Sequence, residues 1–283
     1  MVNLYSPKVV TALLKRHQVR TNKSLGQNFL LDRNTLDKIV DTAGLTGDES
    51  VLEIGPGLGA MTRLLAERAR RVVAVELDAG FVRVLSETVS DLPNVRVEHA
   101  DFLKLPLRAW AAENLQPLPA SVVANVPFYI TSPILSALLE TPDTWRVIVL
   151  LVQKEVAERL RAEPDTPDYS SLTVYARFRA EVELVSVVPR GVFYPPPRVD
   201  SAIVRLTPRA EPAVPVRDPR RFQQVVRAAF GQRRKTLSNA LAAVPDWGKD
   251  GARAALEGAG IDPHRRGETL TMAEFAAITD AGP

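Results

Sequence analysis

The sequence contains no cysteine among its 283 residues, and its three histidines lie far apart. A chain without cysteine has no disulfide, no thiolate nucleophile and no cysteine-ligated zinc site. Scattered histidines also argue against a histidine metal cluster or a catalytic histidine. No apolar run is long enough for a membrane span or a secretory signal. We therefore expect a cytoplasmic protein that uses neither a metal nor a membrane.

Net charge is small and unevenly distributed. The whole chain carries only +3, yet residues 1–40 carry +5 and residues 209–240 carry +6, so the remainder is acidic. Basic residues that merely solvate helix faces are an equally simple explanation for either segment. Two basic segments around an acidic middle nevertheless favour a polyanionic partner such as a nucleic acid.

The order of sequence patterns predicts two domains. Up to residue 208, short apolar runs alternate with amphipathic helical patterns, which is typical of an α/β fold with a doubly wound, mostly parallel sheet. Residues 208–219 are rich in proline, and only helical patterns follow. We predict a Rossmann-like domain over residues 1–208 and a small all-helical domain over residues 209–283.

The strongest local motif joins a buried strand to a helix. Residues 51–54 are apolar except for Glu53 and read as a buried strand, Gly55-Pro-Gly-Leu-Gly59 forms a tight turn, and a helical pattern follows. Glycine lets the backbone approach a ligand closely. The next predicted strand ends at Glu76, 19 residues after Gly57, where a carboxylate can accept hydrogen bonds from ribose hydroxyls. A third predicted strand, residues 95–102, ends in Asp101-Phe102, a carboxylate and a ring suited to an adenine.

The turn after the fourth strand carries the groups that a flat nitrogen base needs. The apolar residues 122–124 are followed by Asn125-Val-Pro-Phe128. The amide oxygen of Asn125 and a backbone carbonyl near Val126 or Pro127 can accept from an exocyclic amine. Pro127 stiffens the turn, and Phe128 offers a ring for stacking. An ordinary strand-to-helix turn with Phe128 in the core is the alternative.

Two cofactors compete for the glycine-rich turn. Gly55-Pro-Gly-Leu-Gly-Ala60 is compatible with a nicotinamide dinucleotide, whose pyrophosphate binds such a turn. S-adenosylmethionine has no pyrophosphate and needs glycines for its amino-acid end, an acid for its ribose, and an acid or amide for its adenine. Acids and amides at successive strand ends favour S-adenosylmethionine.

With these residues the chain resembles the ribosomal RNA adenine N6,N6-dimethyltransferase family, the small-subunit enzymes first known from kasugamycin resistance. The resemblance covers residues 22–266. Seven motifs carry it in order, namely Ser24-Leu-Gly-Gln-Asn-Phe-Leu30, residues 51–59, Ala74-Val-Glu-Leu-Asp78, Asp101-Phe102, Asn125-Val-Pro-Phe128, residues 192–201 and residues 230–237. Phe128 stands where the family often has Tyr, and Tyr194-Pro195 stands where it often has a small polar residue.

The resemblance implies a methyltransferase fold and assigns a set of residues to the S-adenosylmethionine site. Together with the strand-end reasoning this set is Gln27, Asn28, Leu30, Glu53, Gly55, Gly57, Glu76, Leu77, Asp101, Phe102 and Asn125. The catalytic set is Asn125, Val126, Pro127 and Phe128, with Phe193 as the second face of a base sandwich. Basic residues after the linker are expected to contact RNA phosphates, namely Arg220, Arg221, Arg227, Arg233, Arg234 and Lys235.

The resemblance also implies the substrate and the cellular role. The expected activity is transfer of methyl groups to N6 of two adjacent adenines near the 3′ end of small-subunit (16S) ribosomal RNA, giving N6,N6-dimethyladenosine. The expected partner is the assembling small subunit, bound by a monomer. Two alternatives stay open at this point: an adenine methyltransferase of large-subunit RNA, and a non-catalytic RNA-binding assembly factor on the same fold.

Overall fold

The computed structural model describes residues 3–19, 28–232 and 234–283. The strands in this part of the chain are β1 Phe29–Leu30, β2 Ser50–Ile54, β3 Arg71–Glu76, β4 Val95–His99, β5 Ala120–Asn125, β6 Trp145–Gln153, β7 Ala180–Val188, β8 Phe193–Tyr194 and β9 Ser201–Pro208. The helices are α1 Pro7–Arg16, α2 Arg33–Thr42, α3 Ala60–Ala66, α4 Ala79–Thr88, α5 Leu107–Asn114, α6 Thr131–Leu139, α7 Lys154–Arg161, α8 Ser171–Arg179, α9 Pro219–Gly231, α10 Leu237–Ala240, α11 Gly248–Gly258 and α12 Met272–Ala281.

Seven strands form one sheet in the order β4-β3-β2-β5-β6-β9-β7. The pairs among β2 to β6 are parallel, and β9 runs antiparallel to β6. The chain proceeds from β2 outward through β3 to β4, then returns to the other side of β2 with β5. This reversal between β2 and β5 marks the switch point at which open α/β sheets bind their ligands. The predicted doubly wound sheet is thus confirmed.

Burial explains why these short runs become strands of a parallel sheet. All five residues of β2 and the first five of β5 are buried, as expected for strands covered on both faces. One face packs against α2 and α3 through a cluster that includes Ile39, Leu64 and Val149. Aspartates begin two of the flanking helices: Asp32 accepts from the Thr35 N–H, and Asp78 accepts from the Gly80 N–H.

A second, two-stranded sheet joins distant parts of the sequence. Phe29 pairs with Tyr194 and Leu30 with Phe193 in antiparallel β1 and β8. The Leu31 N–H continues the ladder by donating to the Val192 carbonyl at 3.0 Å. This pairing holds the segment before α2 beside the proline-rich loop.

The chain divides into two compact units. The first contains the described residues up to Ala157 and Val182–Pro208, and the second contains Glu158–Glu181 and Arg209–Pro283. The second unit has its own core, in which Phe178 stacks on Phe222 with ring centroids 4.2 Å apart. Residues 158–181, which the sequence reading assigned to the first domain, therefore pack with the C-terminal helices. No helix in the described part of the chain is both long and apolar enough to cross a membrane.

Candidate active site

A cavity of about 410 Å³ opens at the carboxyl ends of β2, β3, β4 and β5. It lies in the first unit, beside the switch point of the sheet. The described residues that the sequence assigned to the cofactor and to the target base line this one cavity: Asn28, Leu30, Glu53, Gly55, Gly57, Glu76, Leu77, Asp101, Phe102, Asn125, Val126, Pro127, Phe128 and Phe193. Gln27 and Arg233 lie outside the described residues.

The glycine turn after β2 forms one wall of the cavity. Gly55 has φ +69°, and no atom lies within 4 Å of where its Cβ would stand, so the space in front of it is open to a ligand. Gly59 has φ +85°, and a Cβ there would come within 2.8 Å of Val89 and 3.1 Å of Leu85. The turn therefore needs glycine for its backbone conformation at Gly55, and for both conformation and packing at Gly59.

Backbone hydrogen bonds hold the Glu76 carboxylate at the end of β3. One oxygen accepts from the Asp78 N–H at 2.9 Å, and the other accepts from the Gly57 N–H at 3.3 Å. Glu76 is only 7% exposed, and this burial raises the pKa of its carboxyl, with the two N–H donors opposing the rise. A carboxylate oxygen has lone pairs to spare after one such bond, so Glu76 can still accept from a bound hydroxyl.

Glu53 is the most buried acid in the cavity wall. It is fully inaccessible, and neither carboxylate oxygen makes a hydrogen bond with the described residues. Burial raises the pKa of Glu53 to about 8; the nearby Thr62 hydroxyl opposes the rise and the charge of Glu76 adds to it. A buried carboxyl without hydrogen bonds costs less in its neutral form than in its charged form, and a ligand that bonds to it would lower the cost further.

Asp101 and Phe102 follow β4 rather than ending it, since β4 stops at His99. One oxygen of Asp101 accepts from the Leu103 N–H at 3.1 Å, capping the 3₁₀ turn Phe102–Lys104. The other lies 3.4 Å from the exposed Lys104 ammonium. Asp101 therefore has a structural role at this turn in addition to lining the cavity.

The turn after β5 leaves two acceptors unused. Neither the Asn125 side chain nor the Val126 carbonyl makes a hydrogen bond with the described residues. By contrast, the Pro127 carbonyl accepts from the Ile130 N–H at 3.1 Å. Of the two carbonyls named in the sequence analysis, that of Val126 therefore has both lone pairs open to a ligand, whereas that of Pro127 already accepts one hydrogen bond within the turn.

Two phenylalanines flank this turn. Phe128 is half-buried at the start of the 3₁₀ turn Phe128–Ile130, so it is not a core residue. Phe193 is 4% exposed and belongs to the same hydrophobic cluster as Leu30, its partner in the β1–β8 pair. Phe193 therefore combines core packing with a place in the cavity wall.

Several lining residues were not predicted to belong to the site. Phe29 and Phe81 meet edge to face with centroids 5.8 Å apart, and Leu4 reaches the cavity from the start of the chain. Leu103 lines the cavity with 42% of its side chain exposed, beside Leu77 at 59%. Only the tertiary fold brings these apolar residues together. Leu103 directly follows Phe102, which was predicted to belong to the site, and this position was the one sequence signal for it.

The electrostatic character of the lining is acidic. Glu53, Glu76, Asp78 and Asp101 line the cavity, and no Lys, Arg or His of the described residues does so. A cationic ligand is stabilised in such a cavity, whereas a pyrophosphate is repelled. No group of three or more His, Cys, Asp or Glu in the described part of the chain is arranged to hold a metal ion.

The predicted RNA-contacting residues lie in the second unit. Arg220, Arg227, Arg234 and Lys235 are exposed and make no ion pair with another described residue. Arg221 differs, because its guanidinium donates to the Pro245 carbonyl at 2.7 Å. The structure thus leaves four cations free for a partner and uses a fifth within the fold.

The family model and the relatives described below agree on one protein family. The family model described as ribosomal RNA adenine dimethylase matches residues 18–280 of the chain. The ribosomal RNA small subunit methyltransferase A of Geobacillus thermodenitrificans is 49% identical over 283 residues, covering 99% of this chain and 97% of that protein. The similarity therefore extends over both units.

Solved structures agree with this family. A dimethyladenosine transferase from Plasmodium falciparum superposes with a TM-score of 0.71 at 26% identity, covering 87% of this chain and 94% of that one. The 23S rRNA methyltransferase ErmE superposes with a TM-score of 0.64 at 34% identity, covering 90% of this chain and 99% of that one. Both are similar in fold along most of this chain.

Proposed function

Because the chain belongs to the ribosomal RNA adenine dimethylase family, we propose that it methylates N6 of adenines in small-subunit ribosomal RNA. S-adenosylmethionine is the methyl donor. We further propose that the products are two adjacent N6,N6-dimethyladenosines near the 3′ end of the 16S RNA. A single copy of the chain would act on the assembling small subunit in the cytoplasm. The 49% identical relative named for the small subunit supports this substrate over large-subunit RNA.

The cavity fits S-adenosylmethionine better than a dinucleotide. The sulfonium and ammonium of this cofactor outweigh its one carboxylate, which suits a lining that carries Glu76, Asp78 and Asp101 and no Lys, Arg or His of the described residues. Glu53, whose pKa is raised to about 8, is largely neutral at pH 7 and adds little to this negative charge. Glu76 would accept from the ribose hydroxyls, and the open face of Gly55 leaves room for the amino-acid end. Leu77 and Leu103 would offer apolar surfaces to the adenine, and Asp101 lines the same cavity. When bound, the cofactor supplies an activated methyl group.

The single observation that carries the proposed chemistry is the pair of unused acceptors on the Asn125 turn. The exocyclic amine of adenine is a weak nucleophile because its lone pair is delocalised into the ring. Hydrogen bonds from its two N–H groups to the Asn125 side-chain oxygen and the Val126 carbonyl would favour a pyramidal nitrogen. They would also hold its lone pair in one direction, and positioning of this kind supplies much of the rate.

The second transfer makes different use of the same two acceptors. A monomethylated amine retains one N–H, so only one of the two acceptors can then be satisfied. Loss of one acceptor should therefore affect the two transfers unequally.

Phe128, on the turn stiffened by Pro127, would stack on the base, and Phe193 would close its other face. Stacking stabilises a splayed base by about 1–3 kcal/mol.

The second unit would hold the RNA backbone. Arg220, Arg227, Arg234 and Lys235 are exposed cations without ion-pair partners among the described residues, as phosphate contacts require. Arg233 joins this proposal from the sequence alone. Arg221 contributes less, because its guanidinium is already held by the Pro245 carbonyl.

The test is methyl transfer to undermethylated small subunits from radiolabelled S-adenosylmethionine, followed by mapping of the modified bases. The parent protein should label adenines of the small-subunit RNA. Asn125→Ala should lower kcat by at least about tenfold and leave the affinity for the particle unchanged, because a catalytic acceptor is lost while the phosphate contacts remain. Label on large-subunit RNA alone, or no label with tight particle binding, would support one of the two alternatives instead.

A further inference from the structure

Tyr129 is an exposed aromatic residue at the mouth of the cavity. The residue is 53% exposed, yet it lines the cavity together with its neighbours Phe128 and Ile130. A single exposed aromatic is ordinary on a protein surface. This one is distinguished by its position, one residue beyond the proposed stacking residue and four beyond Asn125.

The fold gives Tyr129 no partner of its own. Its ring contacts no other aromatic ring or cation among the described residues, and its hydroxyl makes no hydrogen bond with them. It therefore neither stabilises a core nor caps a helix. A large, flat, partly apolar surface is left available to a ligand.

The turn that carries Tyr129 is fixed on both sides. The Ile130 N–H donates to the Pro127 carbonyl at 3.1 Å, and the Thr131 hydroxyl lies 3.3 Å from the Phe128 carbonyl. These bonds and the proline define the backbone of the 3₁₀ turn, so the point from which the Tyr129 side chain projects is fixed. A tyrosine has only two side-chain torsions to order, so stacking of its ring on a partner costs little further entropy.

The proposed substrate supplies such a partner. A base that leaves its stack to enter a cavity exposes the faces of its neighbours in the strand. Proteins commonly cover exposed bases in RNA with aromatic side chains. We propose that Tyr129 stacks on the nucleotide adjacent to the target adenine and so holds the strand while the target base occupies the cavity. This inference rests on the proposed function.

The experiment compares four substitutions at Tyr129 in the full chain. Phe and Trp retain a flat ring, Leu retains apolar surface without a ring, and Ala removes both. Val187→Ala serves as the matched control, since Val187 is 46% exposed in the first unit and does not line the cavity. Methyl transfer to undermethylated small subunits gives kcat and KM for the particle, and calorimetry gives the affinity for S-adenosylmethionine.

We expect Y129A and Y129L to raise the particle KM about 5- to 150-fold, the equivalent of a 1–3 kcal/mol stack at about 1.4 kcal/mol per tenfold. Y129F, Y129W and V187A should match the parent, and cofactor affinity should not change in any variant. A parent-like KM for Y129A would overturn the inference. So would a Y129F that fails to restore it, because the hydroxyl would then be the important group, or a Y129L equal to the parent, because the ring would then be unnecessary.

The proposed function and this inference fail in different ways. If the parent itself transfers no methyl group to the particle, the proposed function is wrong. If the parent transfers methyl groups and the variants do not separate by their rings, only the role of Tyr129 is wrong. Should Y129A lose cofactor affinity through a disturbed turn, the comparison of Y129L with Y129F decides between a ring and a merely apolar surface.

Discussion

Replacing Glu53 by glutamine should change how the stability of the first unit depends on pH. Glu53 is fully buried, has no hydrogen-bond partner among the described residues, and has a pKa raised to about 8. Its ordinary value is 4.5. Between these two values the unfolded chain has released the proton while the folded chain still holds it. The free energy of unfolding of the parent must therefore fall as pH rises through this window.

The magnitude follows from proton linkage. Each pH unit between the two pKa values lowers the free energy of unfolding by up to about 1.4 kcal/mol, so the parent should lose about 2–3 kcal/mol between pH 5 and pH 7 through this group. The contribution is fully present below pH 4.5 and is lost above about pH 8. A glutamine amide does not titrate, so the E53Q variant lacks this loss. Glu76, whose pKa is also raised, adds a slope in the same direction to both proteins.

Urea unfolding can isolate the first unit through tryptophan fluorescence. Trp110 and Trp145 are buried in the first unit, and Trp247 lies in the second, so a Trp247→Phe background makes the signal specific. The quantity to compare is the difference in unfolding free energy between parent and E53Q at pH 5, 6, 7 and 8. The change of this difference with pH is independent of any constant cost of a buried amide. Parallel pH profiles for the two proteins would show that Glu53 titrates normally and would refute the reasoning.

Three further outcomes are expected. Glu76→Ala should weaken S-adenosylmethionine binding by about 1–3 kcal/mol in calorimetry, because ribose hydroxyls lose a charged acceptor, and unchanged affinity would contradict this. Gly59→Ala should destabilise the first unit by more than about 1 kcal/mol, whereas Gly191→Ala, which meets no atom within 4 Å, should stay near the parent in the same urea assay. Replacing Arg234 and Lys235 by Glu should weaken particle binding and reduce its log–log salt slope by about one per lost phosphate contact, with cofactor affinity intact; equal particle affinity would make this face ordinary solvated surface.

The cavity residues that could be predicted are those that belong to a local sequence pattern. The glycines of the turn after β2 follow an apolar run, and Glu76 and Asn125 each end one, so strand ends and ligand groups could be read together. Parallel strands bring their carboxyl ends to one edge, which is why residues far apart in the chain line one space. The sequence did not reveal that Glu53 lacks a partner, because hydrogen bonding is set by tertiary neighbours.

Other elements have too weak a hydrophobic pattern in the sequence to be predicted. Helix α5 was not predicted, because it is short and lies between Pro106 and the prolines at 117 and 119. Strands β1 and β8 have two residues each, too few for a period to appear. The placement of residues 158–181 was missed for a different reason. Apolar residues such as Phe178 show that a helix has a buried face, but not which core it joins.

The pairing of β1 with β8 affects when during synthesis the cavity becomes complete. Residues 28–30 and Phe193 both line the cavity, and they are held together by a ladder that joins positions more than 160 residues apart. A nascent chain that has emerged only through β6 already contains the four strand ends, yet it lacks this wall. Pairing between strands so far apart in the chain is slow to form, because the entropy of closing the long intervening loop is lost before the contacts form. Ligand affinity on the ribosome should therefore appear late, only after Tyr194 has left the exit tunnel, and protease resistance of the sheet should precede it.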